Sequence, residues 1–213
     1  MPSPRHLALL LIAALAIAGC DIADDGPRRE QTREVAGFTR IDNRDAVDVR
    51  LDVGKPQRIT VRAGAEVIDD VGTEVRDGML HVTFDHDDFA GDDVVVEASV
   101  PSLTAIEASG SGDIDAYGID AEALEVRSEG SADIALEGTA GRLTMLLDGS
   151  GDADLADLAA GEARVTVDGS GDAEVRAVGR LDISLDGSGD VRYHGDPALT
   201  EHDDGSGDLN RAG

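Results

Sequence analysis

A four-residue motif, Gly-Ser-Gly-Asp, recurs along the second half of this 213-residue chain and constrains its fold more than any other feature. On both sides of each copy, apolar and polar residues alternate, as they do in strands with one buried face. Each repeat unit is therefore predicted to be a strand, a glycine turn and a second strand. The serines of the six exact or near copies are spaced by 20, 19, 20, 18 and 18 residues and are Ser111, Ser131, Ser150, Ser170, Ser188 and Ser206.

Two all-β architectures accommodate this repeat. In an antiparallel meander, Asp-Gly-Ser-Gly would close hairpins, whereas in a parallel solenoid each unit would be one coil with equivalent residues stacked. The same features recur in the same order from repeat to repeat: an apolar triplet, an acidic residue, the turn, an Asp and an apolar pair. This recurrence favours a single parallel β-helix, or solenoid, of stacked 18–20-residue coils. Its inward-facing residues would include Leu143, Met145, Leu147, Val165, Val167, Leu181, Ile183 and Leu185.

The first half of the chain shows shorter and less regular alternation. It is interpreted as atypical early coils, so that residues 34–213 form one β-solenoid domain. The last repeat carries Glu201 and Asp203 at inward positions, and such a polar end opposes end-to-end stacking. The strands predicted in the first half cover residues 46–53, 57–63, 73–75, 80–84 and 94–100.

The N-terminus has the organisation of an export signal. The apolar run at 7–17 is too short to span a bilayer, which needs roughly 20 residues, but it suits the central region of a secretory signal peptide. It ends in Ile-Ala-Gly-Cys20, which resembles the lipobox of bacterial lipoproteins. This resemblance implies a lipoprotein signal peptide over 1–19, acylation of Cys20 and a flexible tether over 20–33. The alternative is an ordinary secretory signal followed by an unpaired thiol.

Three further segments resemble the head GIN domain family, which is named for the heads of auto-transporter adhesins. They are the stretches at 33–41 and 77–82, and the Val-Pro-Ser-Leu at 100–103 that leads into the first Gly-Ser-Gly-Asp. The resemblance covers roughly residues 33–210. It implies a right-handed β-helix-like fold of stacked short strands, and it supplies no catalytic residues.

Charge and aromatic content restrict the function. Lys and Arg total 18 against 45 Asp and Glu, for a formal net charge of −27. So acidic a surface repels phosphate backbones, which argues against nucleic-acid partners. The chain has no Trp, two Tyr and three Phe, so it offers few aromatic platforms for sugars. No histidine lies within the four middle repeats, so the serine column is interpreted as stacked, hydrogen-bonded hydroxyls and not as a set of nucleophiles.

Acidic residues flank every turn and would form two columns of like charge. At a coil spacing of about 4.8 Å, each neighbouring pair costs roughly 0.9 kcal/mol in water. Calcium, high salt or raised carboxylate pKa values could offset this repulsion. The weak candidate calcium ligands are Asp152, Asp172 and Asp190, but solvation with monovalent counterions is the simpler hypothesis. No firm metal site and no cofactor is therefore predicted, and the acidic segment at 81–88 is interpreted as a solvated turn.

The sequence as a whole predicts an exported bacterial lipoprotein of the cell envelope, held in the membrane on the periplasmic or surface face. Its expected role is non-enzymatic: it would present a β-solenoid surface for adhesion or envelope scaffolding, with an envelope or extracellular protein or polysaccharide as partner. The alternative is an enzyme acting on envelope or extracellular polysaccharide. Its candidate sites would be the histidine-containing segments at 81–88 and 194–202.

Overall fold

The computed structural model describes residues 27–85 and 94–212, and these residues form strands and one short 3-10 turn, Ile68–Asp70. Within these ranges the strands are β1 (Arg28–Arg33), β2 (Arg40–Asn43), β3 (Asp48–Val53), β4 (Arg58–Gly64), β5 (Val71–Arg76), β6 (Met79–Phe84), β7 (Val95–Val100), β8 (Ala105–Ala108), β9 (Ile114–Ser128), β10 (Ile134–Leu147), β11 (Ala153–Val167), β12 (Ala173–Leu185), β13 (Val191–His194), β14 (Ala198–Asp203) and β15 (Leu209–Arg211).

The repeat region is a parallel β-solenoid. Strands β9, β10, β11 and β12 are 13 to 15 residues long, and each pairs in parallel with the next. Parallel pairing confirms the solenoid and excludes the antiparallel meander for these strands. The molecule forms about five turns. The pairing register of the long strands shifts near their middle, where Gly118 in β9 and Gly138 in β10 adopt φ values of 73° and 139° that favour glycine.

Every coil contributes one strand segment before the Gly-Ser-Gly-Asp corner and one after it, so the solenoid has two main faces. The pre-corner face follows the order β5, β6, β2, β8, the second half of β9 to β12 in turn, and β14. The post-corner face follows the order β1, β4, β7, β3, the first half of β9 to β12 in turn, β13 and β15. The hydrophobic core lies between these faces.

The eight residues predicted to point inward are all buried, with exposed fractions between 0 and 3%. They stack in register from coil to coil, as in the row of Met145, Val165 and Ile183. Such stacking places aliphatic side chains against identical or similar ones. Full burial of each contributes about 1.5–3 kcal/mol.

The first half of the chain adds antiparallel strands to the parallel stack. Strands β2 and β3 pair in parallel with β8 and β9, which makes this half continuous with the solenoid. Strand β4, however, runs antiparallel to β7, and β5 runs antiparallel to β6. The predicted strand positions agree with β3 to β7, but the expectation that all of them form parallel coils is wrong for β4 and β5.

The expected tether over 20–33 is wrong for residues 28–33, which form β1 antiparallel to β4. The alternation of apolar and polar residues did not predict this strand, because polar side chains occupy the side of β1 where apolar ones are expected. Gln31 donates to Asp69 at 2.9 Å, and the Arg33 guanidinium donates to the Ile68 carbonyl at 2.9 Å. The predicted signal peptide and Cys20 lie outside the described residues.

The last coil is polar, as its degenerate repeat indicates. Every residue of β14 is exposed, and the inward positions opposite Ile183 and Leu185 are taken by Glu201 and Asp203. Apolar surface is thereby kept small at this end of the described solenoid. Across residues 27–85 and 94–212, no helix has the length and apolar character needed to cross a membrane.

Candidate functional site

The repeated corner forms one continuous edge of the molecule, and its backbone is hydrogen-bonded from coil to coil. The backbone N–H of Ser170 donates to the Gly149 carbonyl at 2.9 Å, and that of Ser188 donates to Gly169 at 2.8 Å. The first glycine of the motif, present in all six copies, is required because the coils approach so closely: a Cβ at Gly169 would lie 2.0 Å from the Gly149 carbonyl oxygen. The glycines of the motif thus allow the tight corners of successive coils to stack closely.

The six predicted turn serines all lie on this edge and are all exposed. The hydrogen-bonded column of hydroxyls expected from the sequence is not observed: none of these hydroxyls has a partner among the described residues. The backbone N–H and C=O groups already join the corners, which leaves the serine side chains to solvent. The edge therefore presents hydroxyl groups at every coil, free to bind another molecule.

The carboxylates that follow the turn form a ladder instead. In each step, the Oδ1 atom of one Asp accepts the backbone N–H of the equivalent Asp in the next coil. Six such hydrogen bonds, 2.8 to 3.1 Å long, join seven residues in the order Asp48, Asp113, Asp133, Asp152, Asp172, Asp190 and Asp208.

This carboxylate ladder explains how a column of like charges is tolerated. A hydrogen bond to a charged acceptor contributes about 1.5–3 kcal/mol, less where water competes. That contribution is of the size needed to offset the repulsion between neighbours, roughly 0.9 kcal/mol in water. Calcium, salt and raised carboxylate pKa values are the offsets that the sequence suggests, whereas in the structure the backbone N–H groups offset the repulsion.

The three candidate calcium ligands are consecutive members of the ladder. Asp152, Asp172 and Asp190 each give one oxygen to a backbone N–H at 2.8 Å, so each has one carboxylate oxygen left for a cation. Among residues 27–85 and 94–212, no three His, Cys, Asp or Glu side chains come together in an arrangement suited to a metal ion. Calcium binding stays a prediction for these residues.

A second acidic column lies on the other side of the serines and is built differently. Its carboxylates are exposed and do not form a ladder: Asp186 accepts the Ser184 hydroxyl at 3.1 Å, and Glu129 pairs with Arg127. The corner edge thus carries an acidic column, a serine column and the carboxylate ladder side by side. The pre-turn column consists of Glu129, Asp148, Asp168, Asp186 and Asp204.

The ladder begins one coil earlier than the motif. The corner at 44–48 stacks beneath the first Gly-Ser-Gly-Asp, and only its last residue, Asp48, matches the motif. The Asn43 side chain is buried there and donates to the carbonyls of Val47 and Gly112 at 2.7 and 3.1 Å. The one available sequence signal was an Asp followed by the alternating residues of β3.

The histidines that the sequence singled out pair with carboxylates. His81 lies 2.8 Å from Asp42, a buried carboxylate that also accepts from Arg44 at 2.6 Å, so His81 does not join the acidic turn. His194 contacts Glu174, and His202 contacts Asp204. Among the described residues, no hydroxyl is hydrogen-bonded to these imidazoles, so they form no nucleophile–base pair. His86, Asp87 and Asp88 lie outside the described ranges.

Fold and corner together define a parallel β-solenoid with one repeated, exposed edge. Residues 37–197 match the family described as "Putative auto-transporter adhesin, head GIN domain". The chain belongs to this family, which confirms the resemblance inferred from the sequence. No curated protein matches the chain.

Solved structures share the fold. A "putative adhesin" from Bacteroides fragilis has a TM-score of 0.70 at 21% identity, covering 87% of this chain and 97% of its own. A "putative lipid binding protein" from Parabacteroides distasonis has a TM-score of 0.55 at 19% identity, covering 89% and 98%. A "putative adhesin" from Parabacteroides merdae has a TM-score of 0.51 at 16% identity, covering 89% and 98%. The family description and these names include adhesins and no enzyme.

Proposed function

We propose that this protein is a lipid-anchored component of the bacterial envelope that adheres to other molecules through the corner edge of its solenoid. The observation that carries the proposal is the stack of exposed serine hydroxyls, which make no hydrogen bond to the described protein, between two acidic columns. The adhesin description of the family fits such a role and an extracellular or envelope-associated location. Envelope scaffolding would use the same edge with a partner in the same cell.

The anchor would hold the β1 end of the solenoid near the membrane. Acyl chains on Cys20 bind a bilayer firmly when there are several, because each buried CH₂ contributes about 0.8 kcal/mol. Only residues 21–27 separate Cys20 from β1. Seven residues span at most about 25 Å when fully extended. The corner edge would then rise from the membrane as a short, stiff column.

The repetition of the same corner in successive coils suits this edge to adhesion. Equivalent groups recur at every coil, roughly 4.8 Å apart. A partner with its own repeating hydrogen-bond donors, such as a polysaccharide or an extended protein segment, can engage several coils at once. Weak single contacts then add up through effective concentration.

The proposal is tested with cells that produce the full chain or one of its variants. Cys20→Ser is expected to release the protein from the membrane fraction, and mass spectrometry of the native protein should find acyl groups on Cys20. Attachment of the cells to immobilised envelope polymers and matrix proteins is then measured. The double variant Ser170→Ala/Ser188→Ala should attach several-fold less than the native protein, because it removes two adjacent hydroxyls of the column.

The matched control is Thr144→Ala/Thr166→Ala, which removes two hydroxyls from the pre-corner face and should leave attachment unchanged. Two results contradict the proposal. One is attachment that does not depend on the presence of the chain. The other is an equal loss of attachment in the serine and threonine double variants.

A further inference from the structure

A groove on the post-corner face is lined by several arginines and a tyrosine, whereas most charged residues of the chain are acidic. It lies across β9, β3, β7 and β4, where the parallel pairing of β9, β3 and β7 and the antiparallel pairing of β7 with β4 bring Tyr117, Asp52, Ser99 and Arg58 into one row. The groove has a volume of about 570 Å³ and is also lined by Arg50, Thr60, Arg62 and Glu97. We call it the arginine groove.

Most residues of the arginine groove come from a basic stretch of the sequence. Residues 28–62 contain nine of the 18 basic residues and six of the 45 acidic ones, so this stretch has a formal charge of +3 in a chain of −27. An anion that approaches the molecule is repelled almost everywhere else. The nine basic residues are Arg28, Arg29, Arg33, Arg40, Arg44, Arg50, Lys55, Arg58 and Arg62.

One arginine in the groove has no hydrogen-bond or ion-pair partner among the residues that the structure describes. Arg62 pairs with Glu97 at 2.8 Å and with Glu30 at 3.3 Å, and Arg50 lies 3.8 Å from Asp115. Arg58 is exposed and has no hydrogen-bond or ion-pair partner among the described residues. Its planar guanidinium can therefore receive a ligand carboxylate through two parallel hydrogen bonds.

An aromatic ring lies at the opposite end of the same row. Tyr117 is 45% exposed, whereas Phe38 is buried and Phe84 and Tyr193 are half-buried. Among the aromatic residues that the structure describes, Tyr117 alone presents its ring to solvent. Between the ring and Arg58 lies the small side chain of Ser99, which leaves the floor of the groove open. An aromatic face beside polar groups suits a ligand with an apolar face and hydroxyl substituents.

We propose that the arginine groove binds an oligosaccharide of carboxylate-bearing sugars, with Arg58 pairing to the carboxylate of one unit and Tyr117 stacking on the pyranose ring of another, because the two residues lie three strand spacings, about 14 Å, apart. Asp52 accepts from sugar hydroxyls, and the Ser99 hydroxyl, which donates to the Pro56 carbonyl at 2.7 Å, still accepts one hydrogen bond. This inference rests on the proposed adhesive function and names a class of partner for it. The groove then recognises a short acidic oligosaccharide, whereas the corner edge contacts repeated groups.

A sugar suits the groove better than an acidic peptide does. Extended peptides commonly bind by adding a strand to a free sheet edge, but β9, β3, β7 and β4 each already pair with a strand on both sides. A peptide would have to bind through side chains alone.

The test is titration calorimetry of the full chain with an oligo-galacturonate, its neutral methyl ester, inorganic phosphate and a poly-aspartate peptide. The oligo-galacturonate should bind, and the methyl ester should bind at least about tenfold more weakly because it lacks the charge for Arg58. Arg58→Gln and Tyr117→Ala should each weaken oligo-galacturonate binding by about tenfold or more. Circular dichroism confirms that each variant is folded.

Arg142→Gln is the matched control, since Arg142 is an exposed arginine on the pre-corner face. It should leave oligo-galacturonate binding unchanged. The inference is overturned if the oligo-galacturonate does not bind, if its ester binds equally well, or if Arg142→Gln weakens binding as much as Arg58→Gln. Tighter binding of poly-aspartate or phosphate also overturns it, by making the groove a site for that ligand.

Failure here is distinguishable from failure of the adhesive function. If Arg58→Gln changes neither sugar binding nor attachment while Ser170→Ala/Ser188→Ala still reduces attachment, the groove inference is wrong and the corner edge keeps its role. If the oligo-galacturonate binds through Arg58 but the cells attach without the chain, the groove is a sugar site and the adhesive function is wrong.

Discussion

The solenoid is built in two ways, and residues 28–100 and 105–211 show the difference. In the second region, every corner is closed by the same backbone hydrogen bonds and the same carboxylate ladder. In the first, the corner at 44–48 has no glycine, and the Asn43 amide donates to the carbonyls that the corner leaves open. Strands β1, β4 and β5 then complete the stack by antiparallel pairing.

The two regions therefore present different surfaces: that of the second region repeats from coil to coil, and that of the first does not. Repetition places identical side chains at equal intervals, so the second region can only offer the same groups at each coil. The first region breaks the repeat, and its combination of parallel and antiparallel pairing lets chemically different residues meet, as at Arg58, Ser99 and Tyr117. We expect periodic contacts from the corner edge and selective binding from the arginine groove.

The largest expected effect concerns the glycine corners. Gly169→Ala should strongly destabilise the protein, because the new Cβ would lie 2.0 Å from the Gly149 carbonyl oxygen. Overpacking typically costs about 1–3 kcal/mol, and a clash with backbone lies at the upper end. Gly37 in the first region has Gln57 Oε1 as its nearest contact at 3.9 Å, so Gly37→Ala should change the free energy of unfolding by less than about 0.5 kcal/mol.

Urea-induced unfolding of both glycine variants measures this contrast. Equal stability of Gly169→Ala and Gly37→Ala would show that the corners can separate without cost. The distinction between a backbone-closed and a side-chain-closed region would then be wrong.

The same contrast explains what the sequence could predict. The apolar alternation around each motif predicted the core register, including the row of Met145, Val165 and Ile183, because parallel stacking repeats a local pattern. Strand β1 was missed because Gln31 and Arg33 face polar partners. Apart from the basic stretch, the sequence did not indicate the arginine groove, since its lining residues lie up to 87 positions apart (30 to 117) and meet only through strand pairing.

A smaller effect is expected for the carboxylate ladder. Asp172→Ala removes the acceptor for the Asp190 N–H and should destabilise the protein by about 1 kcal/mol. Asp172→Asn keeps an acceptor oxygen and should cost less. Asp168→Ala in the pre-turn column should be close to neutral or slightly stabilising, because its exposed carboxylate has no ladder partner and removing it relieves repulsion. Thermal unfolding at fixed salt ranks the three; a larger loss for Asp168→Ala would contradict the ladder.

The smallest expected effect is that of calcium on the two columns. Each ladder carboxylate has one oxygen left, and oxygens in adjacent coils are about 4.8 Å apart. A calcium ion midway between two coils would lie about 2.4 Å from each, which is a suitable distance, but it needs six to eight oxygens. The protein therefore supplies only a small part of the coordination shell, and water would supply the rest.

Millimolar calcium should accordingly raise the Tm by no more than about 2 °C beyond sodium chloride of matched ionic strength; for a chain of this size that is about 1 kcal/mol or less. Melting curves with and without chelator measure the effect. Asp152→Asn and Asp172→Asn should remove that small increment without changing the response to sodium chloride. A shift of many degrees that both substitutions abolish would instead make calcium a structural cofactor of the repeat region. Because the arginine groove is lined by no ladder residue, oligo-galacturonate binding should be the same with calcium or chelator present.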